Sequence, residues 1–128
     1  MDQIKSIIII GLKWFDKFNG NTYHAAITYV DGIAYYTGYQ YGYGDQYQWS
    51  AAETLEAAGV ITRLRYPYNG NPEALWTYCE RNKIKLHAHE FHTNKAYLRR
   101  IDEIIDSAKK DQKARERAIR KVERTSQL

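Results

Sequence analysis

The sequence predicts an α+β fold: an antiparallel β-sheet that begins as a meander, with two short helices and a long C-terminal helix. Turn pairs with positive-φ residues, Asn19-Gly20 and Asp31-Gly32, separate segments rich in Ile and aromatics. An apolar stripe recurs at helical spacing near the C-terminus. The chain has 128 residues, which predicts one domain, 1–128.

Three strands are predicted in the first third of the chain. Residues 4–15 (IKSIIIIGLKWF) read as a buried strand, and the turn at Asn19-Gly20 leads into a second strand at 22–30. Asp31-Gly32 is a strong short-range hairpin signal, so residues 33–41 (IAYYTGYQY) are expected to return beside the second strand.

The middle of the chain predicts two short helices with a short strand between them. A capping box at Ser50 and Glu53 starts a helix over about 51–58, which Gly59 ends. Residues 60–68 alternate well enough for a short strand. A second helix then runs over 72–82, with Asn71 as its cap and Pro72 in its first position.

A last strand is predicted at 83–91 (KIKLHAHEF), and its alternation separates two sets of side chains. One face carries Lys85, His87, His89 and Phe91, and the other carries Ile84, Leu86 and Ala88.

Residues 94–125 predict a long basic helix, capped by Thr93. Its apolar stripe is interrupted by Gln112 and Arg115 and resumes at Ile119 and Val122. Such a helix is about 48 Å long, whereas a compact chain of this size is roughly 35 Å across. We therefore expect a second copy of the chain to cover Ile119 and Val122, with this helix at an oligomer interface.

Composition restricts the class of protein. The net charge is +4. From Thr93 onward there are eleven Lys/Arg and six Asp/Glu, so the excess of basic residues lies in the last helix. No apolar run reaches about 18 residues, and the start MDQIK has no signal-peptide pattern. The single cysteine, Cys79, forms no internal disulfide. We expect a cytoplasmic protein with no membrane partner.

We expect no catalytic residue, no metal and no cofactor. The spacing of His87, His89 and His92 suits zinc, but the sequence does not show that a further ligand from His24, Glu90 or Cys79 reaches them. Histidines on a half-exposed strand are more often ordinary surface residues. Cys79 falls at an apolar helix position and is expected to be a buried structural thiol. No nucleophile elbow, P-loop or metalloprotease motif is present.

A binding function remains, and two segments favour it. The stretch 36–49 (YTGYQYGYGDQYQW) offers rings for stacking, and the junction 90–100 (EFHTNKAYLRR) offers a ring, helix-start amides and an arginine for a phosphate. An ordinary capped junction with Phe91 in the core is the alternative. The candidate ligand-binding residues are Tyr41, Tyr43, Phe91, Thr93, Asn94, Arg99, Gln112 and Arg115.

Residues 13–32 (KWFDKFNGNTYHAAITYVDG) and 41–55 (YGYGDQYQWSAAETL) resemble the phage Thoeris anti-defence family of the first type. The resemblance covers mainly 13–58, with a looser match of architecture through the last helix. It implies a non-catalytic sponge in the bacterial host cytoplasm that captures cyclic ADP-ribose isomers made by TIR-domain enzymes. It also implies dimers or larger oligomers with pockets near subunit boundaries and, for some members, a separate site for cyclic oligonucleotides.

Two other classes of function stay open at this point. The basic helix suits direct binding of DNA or RNA. A phage inhibitor that acts by protein–protein contact is the third class.

Overall fold

The computed structural model describes residues 3–126, which form four strands and three helices. The α+β class is confirmed. None of the described helices is long and apolar enough to cross a membrane. The elements are β1 (Ser6–Asp16), β2 (Asn21–Val30), β3 (Ile33–Tyr41), α1 (Gln46–Ala57), α2 (Leu75–Arg81), β4 (Lys85–His92) and α3 (Lys95–Ser126).

The strands form one sheet in the order β3-β2-β1-β4. β1, β2 and β3 pair antiparallel, which confirms the N-terminal meander, and Asp31 (φ 48°) and Gly32 (φ 88°) form the predicted hairpin turn. β4 pairs parallel with β1, so the sheet is mixed and the purely antiparallel prediction is wrong. The reason is the long connection through α1 and α2, which returns the chain at the far edge in the direction of β1.

The two faces of the sheet carry different layers. Ile7 and Ile9 of β1 are buried in the core formed with α1 and α2. On the opposite face, Leu12 packs with Ala25 of β2 against Leu98 of α3. The period-two alternation of β1 therefore assigns each helix to its side of the sheet.

Cys79 lies in the core on the α1 and α2 side, as expected of a structural thiol. Burial raises the pKa of this thiol to about 11. The side chain therefore remains protonated at neutral pH.

Both short helices begin at residues other than the predicted ones. α1 begins at Gln46, and Ser50 lies inside it, where its hydroxyl is 2.8 Å from Nε2 of the buried His24. α2 begins at Leu75 rather than at Pro72, because the backbone of residues 72–74 is extended. The N–H of Glu73 donates to the Leu64 carbonyl at 2.8 Å, and Ala74 has φ −62° and ψ 152°. Gly59 (φ 75°) follows α1 as predicted.

The predicted strand over 60–68 does not form, and an isolated bridge between Arg65 and Pro72 stands in its place. Side-chain charges hold this segment. Arg63 is buried, its guanidinium lies 2.7 Å from the Glu56 carboxylate, and it also donates to the Glu73 carbonyl at 3.2 Å. Arg65 pairs with the same Glu56 at 2.9 Å.

The shared carboxylate makes the stability of this segment sensitive to acid. The hydrogen bond from Arg65, with those from Arg63, lowers the pKa of Glu56 from 4.5 to about 2. Because the folded-state pKa is the lower one, the stabilisation is present above pH 4.5 and is lost as the pH falls toward 2.

We predict that Glu56→Gln lowers the free energy of unfolding at pH 7 by roughly 2–3 kcal/mol. The variant is also expected to lose less stability than the parent between pH 5 and pH 2. Urea unfolding across that range measures both effects. Glu53→Gln, one turn away on the same helix, is the matched control, and a pH dependence identical to that of the parent would contradict the role of Glu56.

Candidate ligand-binding site

Three aromatic rings, one from each of three strands, stack in a column on the α3 side of the sheet. The rings of Trp14 and Tyr23 lie 5.6 Å apart at 24°, and those of Tyr23 and Tyr39 lie 5.1 Å apart at 8°. Trp14 and Tyr23 are directly opposite in the ladder, which brings their side chains together. We call Trp14, Tyr23 and Tyr39 the ring column. Tyr41 meets Tyr23 edge-on at 5.8 Å.

A bulge in β3 places Tyr39 in this column. The register shifts between His24 and Ala26, so that β3 has one more residue than β2 at this point. The N–H of Tyr39 donates to the Asp102 carboxylate of α3 at 2.8 Å. A Cβ at Gly38 would lie 2.7 Å from the same oxygen, so glycine permits the close approach of α3.

Basic residues of the first turns of α3 lie beside the ring column. The ammonium group of Lys95 is 5.6 Å from the centre of the Trp14 ring. Burial raises the pKa of the Tyr39 hydroxyl, the neighbouring Tyr23 raises it further, and the positive charge of Arg99 opposes the shift. Arg99 therefore lies within electrostatic range of the column, and the site combines flat rings with two cations.

Asn94 caps α3, with its side-chain oxygen accepting from the N–H of Tyr97 at 3.2 Å. The cap was expected from Thr93, whose side chain is instead partly buried at the junction. The N–H of Thr93 donates to the Lys13 carbonyl at 2.7 Å, which ties the helix start to the end of β1. The first amides of α3 are thus held at the end of the sheet that bears the ring column.

The predicted residues near this end of the sheet are Tyr41, Tyr43, Phe91, Thr93, Asn94 and Arg99. Phe91 is 53% exposed, so it is not part of the core. Tyr41 reaches the ring column, whereas Tyr43 lies in the loop after β3 and is 70% exposed.

Gln112 and Arg115 lie far from this end. Every described side chain of α3 from Asp106 to Arg124 is exposed, so the helix leaves the body of its own chain. Arg115 follows Asn94 by 21 residues, which is about 31 Å along a helix. A single chain therefore does not bring Asn94, Gln112 and Arg115 into one pocket, and Gln112 instead contacts Glu116 at 3.3 Å.

The sequence interpretation missed Trp14, Tyr23 and Lys95. A signal for the first two was present, because antiparallel pairing across the Asn19-Gly20 turn sets Trp14 opposite Tyr23. The position of Lys95 over Trp14 depends on the direction in which α3 crosses the sheet, and no local pattern encodes that direction.

The histidines do not assemble a metal site within residues 3–126, where no group of three or more His, Cys, Asp or Glu side chains is placed to hold an ion. His24 is buried, and its ring nitrogens contact Ser50 at 2.8 Å and the Gly42 carbonyl at 3.2 Å. Burial lowers the pKa of His24, and the charge of Lys13 lowers it further. Ser50 is equally enclosed, so no substrate reaches this pair.

We predict that Asp102→Ala loosens α3 from the ring column. The substitution leaves the N–H of Tyr39 without its acceptor and is expected to lower the free energy of unfolding by about 1–3 kcal/mol. Urea unfolding measures the loss. Asp106→Ala, one turn further along the exposed part of α3, is the matched control, and equal stabilities of the two variants would contradict the anchoring role of Asp102.

Comparison of the chain with protein-family models, curated proteins and solved structures yields no match.

Proposed function

We propose that the protein binds a cyclic ADP-ribose-type signalling nucleotide and holds it chemically unchanged, as a phage sponge against TIR-dependent Thoeris defence. One observation carries the proposal: the ring column lies beside Lys95, Arg99 and the capped start of α3. The resemblance of residues 13–58 supplies the identity of the nucleotide.

The parts at this end of the sheet suit the two halves of such a ligand. Adenine stacks on an exposed aromatic ring, with about 1–3 kcal/mol per base. Phe91 and Tyr41 offer exposed rings for that purpose. The diphosphate is attracted by Lys95, Arg99 and the positive end of the α3 helix dipole.

Retention without turnover is favoured by the carboxylates next to the ring column, which already have partners. Asp16 accepts hydrogen bonds from the side chain of Asn19 and the N–H of Phe18. The Asn19 side chain is the main cause that lowers the pKa of Asp16, and burial opposes it. Asp102 accepts from Tyr39. Neither group is arranged to exchange a proton with a ligand.

A second copy of the chain completes the site in this proposal. Ile104, Ser107 and Ala108 form a shallow strip on α3, with the Arg100–Glu103 pair (3.3 Å) at one end and Asp111 at the other. An antiparallel pair of α3 helices centred between residues 105 and 106 sets each Arg100 opposite the Asp111 of its partner. Small side chains in the strip let the two helices approach closely.

The same register brings the remote predicted residues back to the first turns of α3. Arg115 of the second copy lies at the height of Ala96, and Gln112 lies one turn away. Ile119 and Val122 of the second copy then reach the part of the sheet that α3 leaves uncovered. Ile8, Tyr29 and Phe91 are exposed there and offer an apolar surface.

We predict that Ile119→Asp and Val122→Asp weaken assembly, because each places a charge in the proposed contact. Sedimentation is expected to show at least a dimer of the parent at micromolar concentration and a shift of both variants toward the 15.0 kDa chain. Ile33→Asp introduces the same charge at an exposed apolar position of β3 and is the control. A parent protein that sediments only as a monomer would contradict the proposal.

The function itself is tested by incubating the pure protein with cyclic ADP-ribose isomers and removing the free ligand. The protein is then denatured by heat, and the released nucleotide is identified by mass spectrometry. We predict that the released nucleotide has its original mass. Arg115→Ala is expected to weaken binding by about 1.5–3 kcal/mol, the range for a charged hydrogen bond, in calorimetry on the folded variant. Arg117→Ala, on another side of the same helix, is the matched control.

Each contrary outcome has a distinct meaning. Linear ADP-ribose in the incubation would identify an enzyme. Unchanged affinity in Arg115→Ala would refute the role of that residue. Duplex DNA binding with a steep salt dependence, and losses shared among Lys109, Lys113 and Arg117, would favour the nucleic-acid alternative that the exposed basic helix also suits.

A further inference from the structure

A second concave surface lies on the other side of the sheet, between α1 and the loop 65–72. It is a cavity of about 430 Å³, and the rings of Trp49, Tyr66 and Tyr68 line it together with the Glu53 carboxylate. We call these four residues and the space between them the aromatic cleft. The amides of Asn69 and Gln46 lie at its margin.

The helical half of the cleft follows from the spacing of α1. Trp49 and Glu53 are four residues apart, so they share one face of the helix. The indole of Trp49 is supported by Trp76 of α2, at 5.6 Å and 80°. The ring and the carboxylate are thus presented side by side from a regular element.

The loop half is held by its own hydrogen bonds. The rings of Tyr66 and Tyr68 stack at 5.7 Å and 29°. The N–H of Tyr66 donates to the Asn71 carbonyl at 2.9 Å, and the N–H of Gly70 donates to the Tyr66 carbonyl at 2.8 Å. Gly70 (φ 71°) closes the turn. The two tyrosines are therefore displayed by an ordered turn.

Glu53 is the charged residue of the cleft lining, and no described residue neutralises it through a hydrogen bond or an ion pair. The arginines nearest in sequence are engaged elsewhere. Arg63 and Arg65 both bind Glu56, at 2.7 and 2.9 Å, and Arg81 binds Glu73 at 2.8 Å. The cleft therefore combines a negative charge with three rings whose faces are electron-rich.

We propose that the aromatic cleft binds an organic cation of the alkylammonium class. The rings of Trp49, Tyr66 and Tyr68 attract the cation through their faces, and Glu53 supplies the counter-charge. A nucleotide phosphate is repelled by the same carboxylate, so this site is separate from the nucleotide site proposed above and does not depend on it. A neutral sugar uses the rings and amides but gains nothing from the charge of Glu53.

The test is calorimetric titration of the full chain with choline and with its neutral isostere 3,3-dimethylbutan-1-ol. Choline is expected to bind about tenfold more tightly than the alcohol, because the two differ in charge and hardly in shape. Glu53→Gln and Tyr68→Ala are each expected to weaken choline binding about fivefold. Tyr68 is 81% exposed, so its removal spares the core. Phe18→Ala removes a fully exposed ring outside the cleft and is expected to leave choline binding unchanged.

Equal affinity for choline and the alcohol would overturn the proposal in favour of an unspecific apolar cleft. Binding of methyl glucoside without binding of choline would identify a sugar site and overturn it as well. If choline affinity is unchanged in both Glu53→Gln and Tyr68→Ala, choline binds at another surface and the proposal is overturned. The outcome with cyclic ADP-ribose bears on none of these results.

Discussion

β1 is the constraint on which the rest of the structure depends, because it is paired along both edges and covered on both faces. β2 runs antiparallel along one edge and β4 runs parallel along the other. Gly11, in the middle of β1, lets Tyr47 of α1 pack directly on the strand, since a Cβ there would lie 2.5 Å from the tyrosine ring. Every helix takes its layer from the alternation of this strand.

The sequence allowed the local parts of the fold to be predicted, because their signals lie within a few residues of one another. The Asp31-Gly32 turn, the Gly59 helix end and the long last helix are examples. The parts that failed depend on distant partners. Ser50 has the sequence context of a helix cap, but in the structure its hydroxyl contacts His24, 26 residues away. Residues 60–68 have the alternation of a strand, but the ion pair between Arg63 and Glu56 holds them in an irregular segment.

The candidate site likewise combines features that have local sequence signals with features that depend on distant parts of the chain. The short motif around the start of α3 predicted a cap and a ring at this point, although Asn94 rather than Thr93 supplies the cap and the exposure of Phe91 was left open. The ring column does not, because the bulge beside Ala25 decides that Tyr39 joins it, and a bulge has no reliable local signal in this segment. The helical position of Arg115 was predicted correctly. Its separation from Asn94 within one chain follows from α3 being uninterrupted over its whole length.

The two proposed sites use the same kind of side chain for opposite ligands. On the α3 face, tyrosine and tryptophan rings adjoin Lys95 and lie within electrostatic range of Arg99, which suits an anion. On the α1 face, similar rings adjoin Glu53, which suits a cation. Neighbouring charge, rather than the aromatic content, decides the chemical class in each case, and the sheet keeps the two charges apart.

The buried thiol of Cys79 has a practical consequence for studying assembly. It is the single cysteine of the chain, and its high pKa and enclosed position leave little thiolate for maleimide or methanethiosulfonate reagents. A cysteine placed on the exposed half of α3 would therefore be the dominant reactive thiol without removal of the natural one. Spin labels or fluorophores attached there would report distances between copies in an otherwise unaltered protein, with the native core intact.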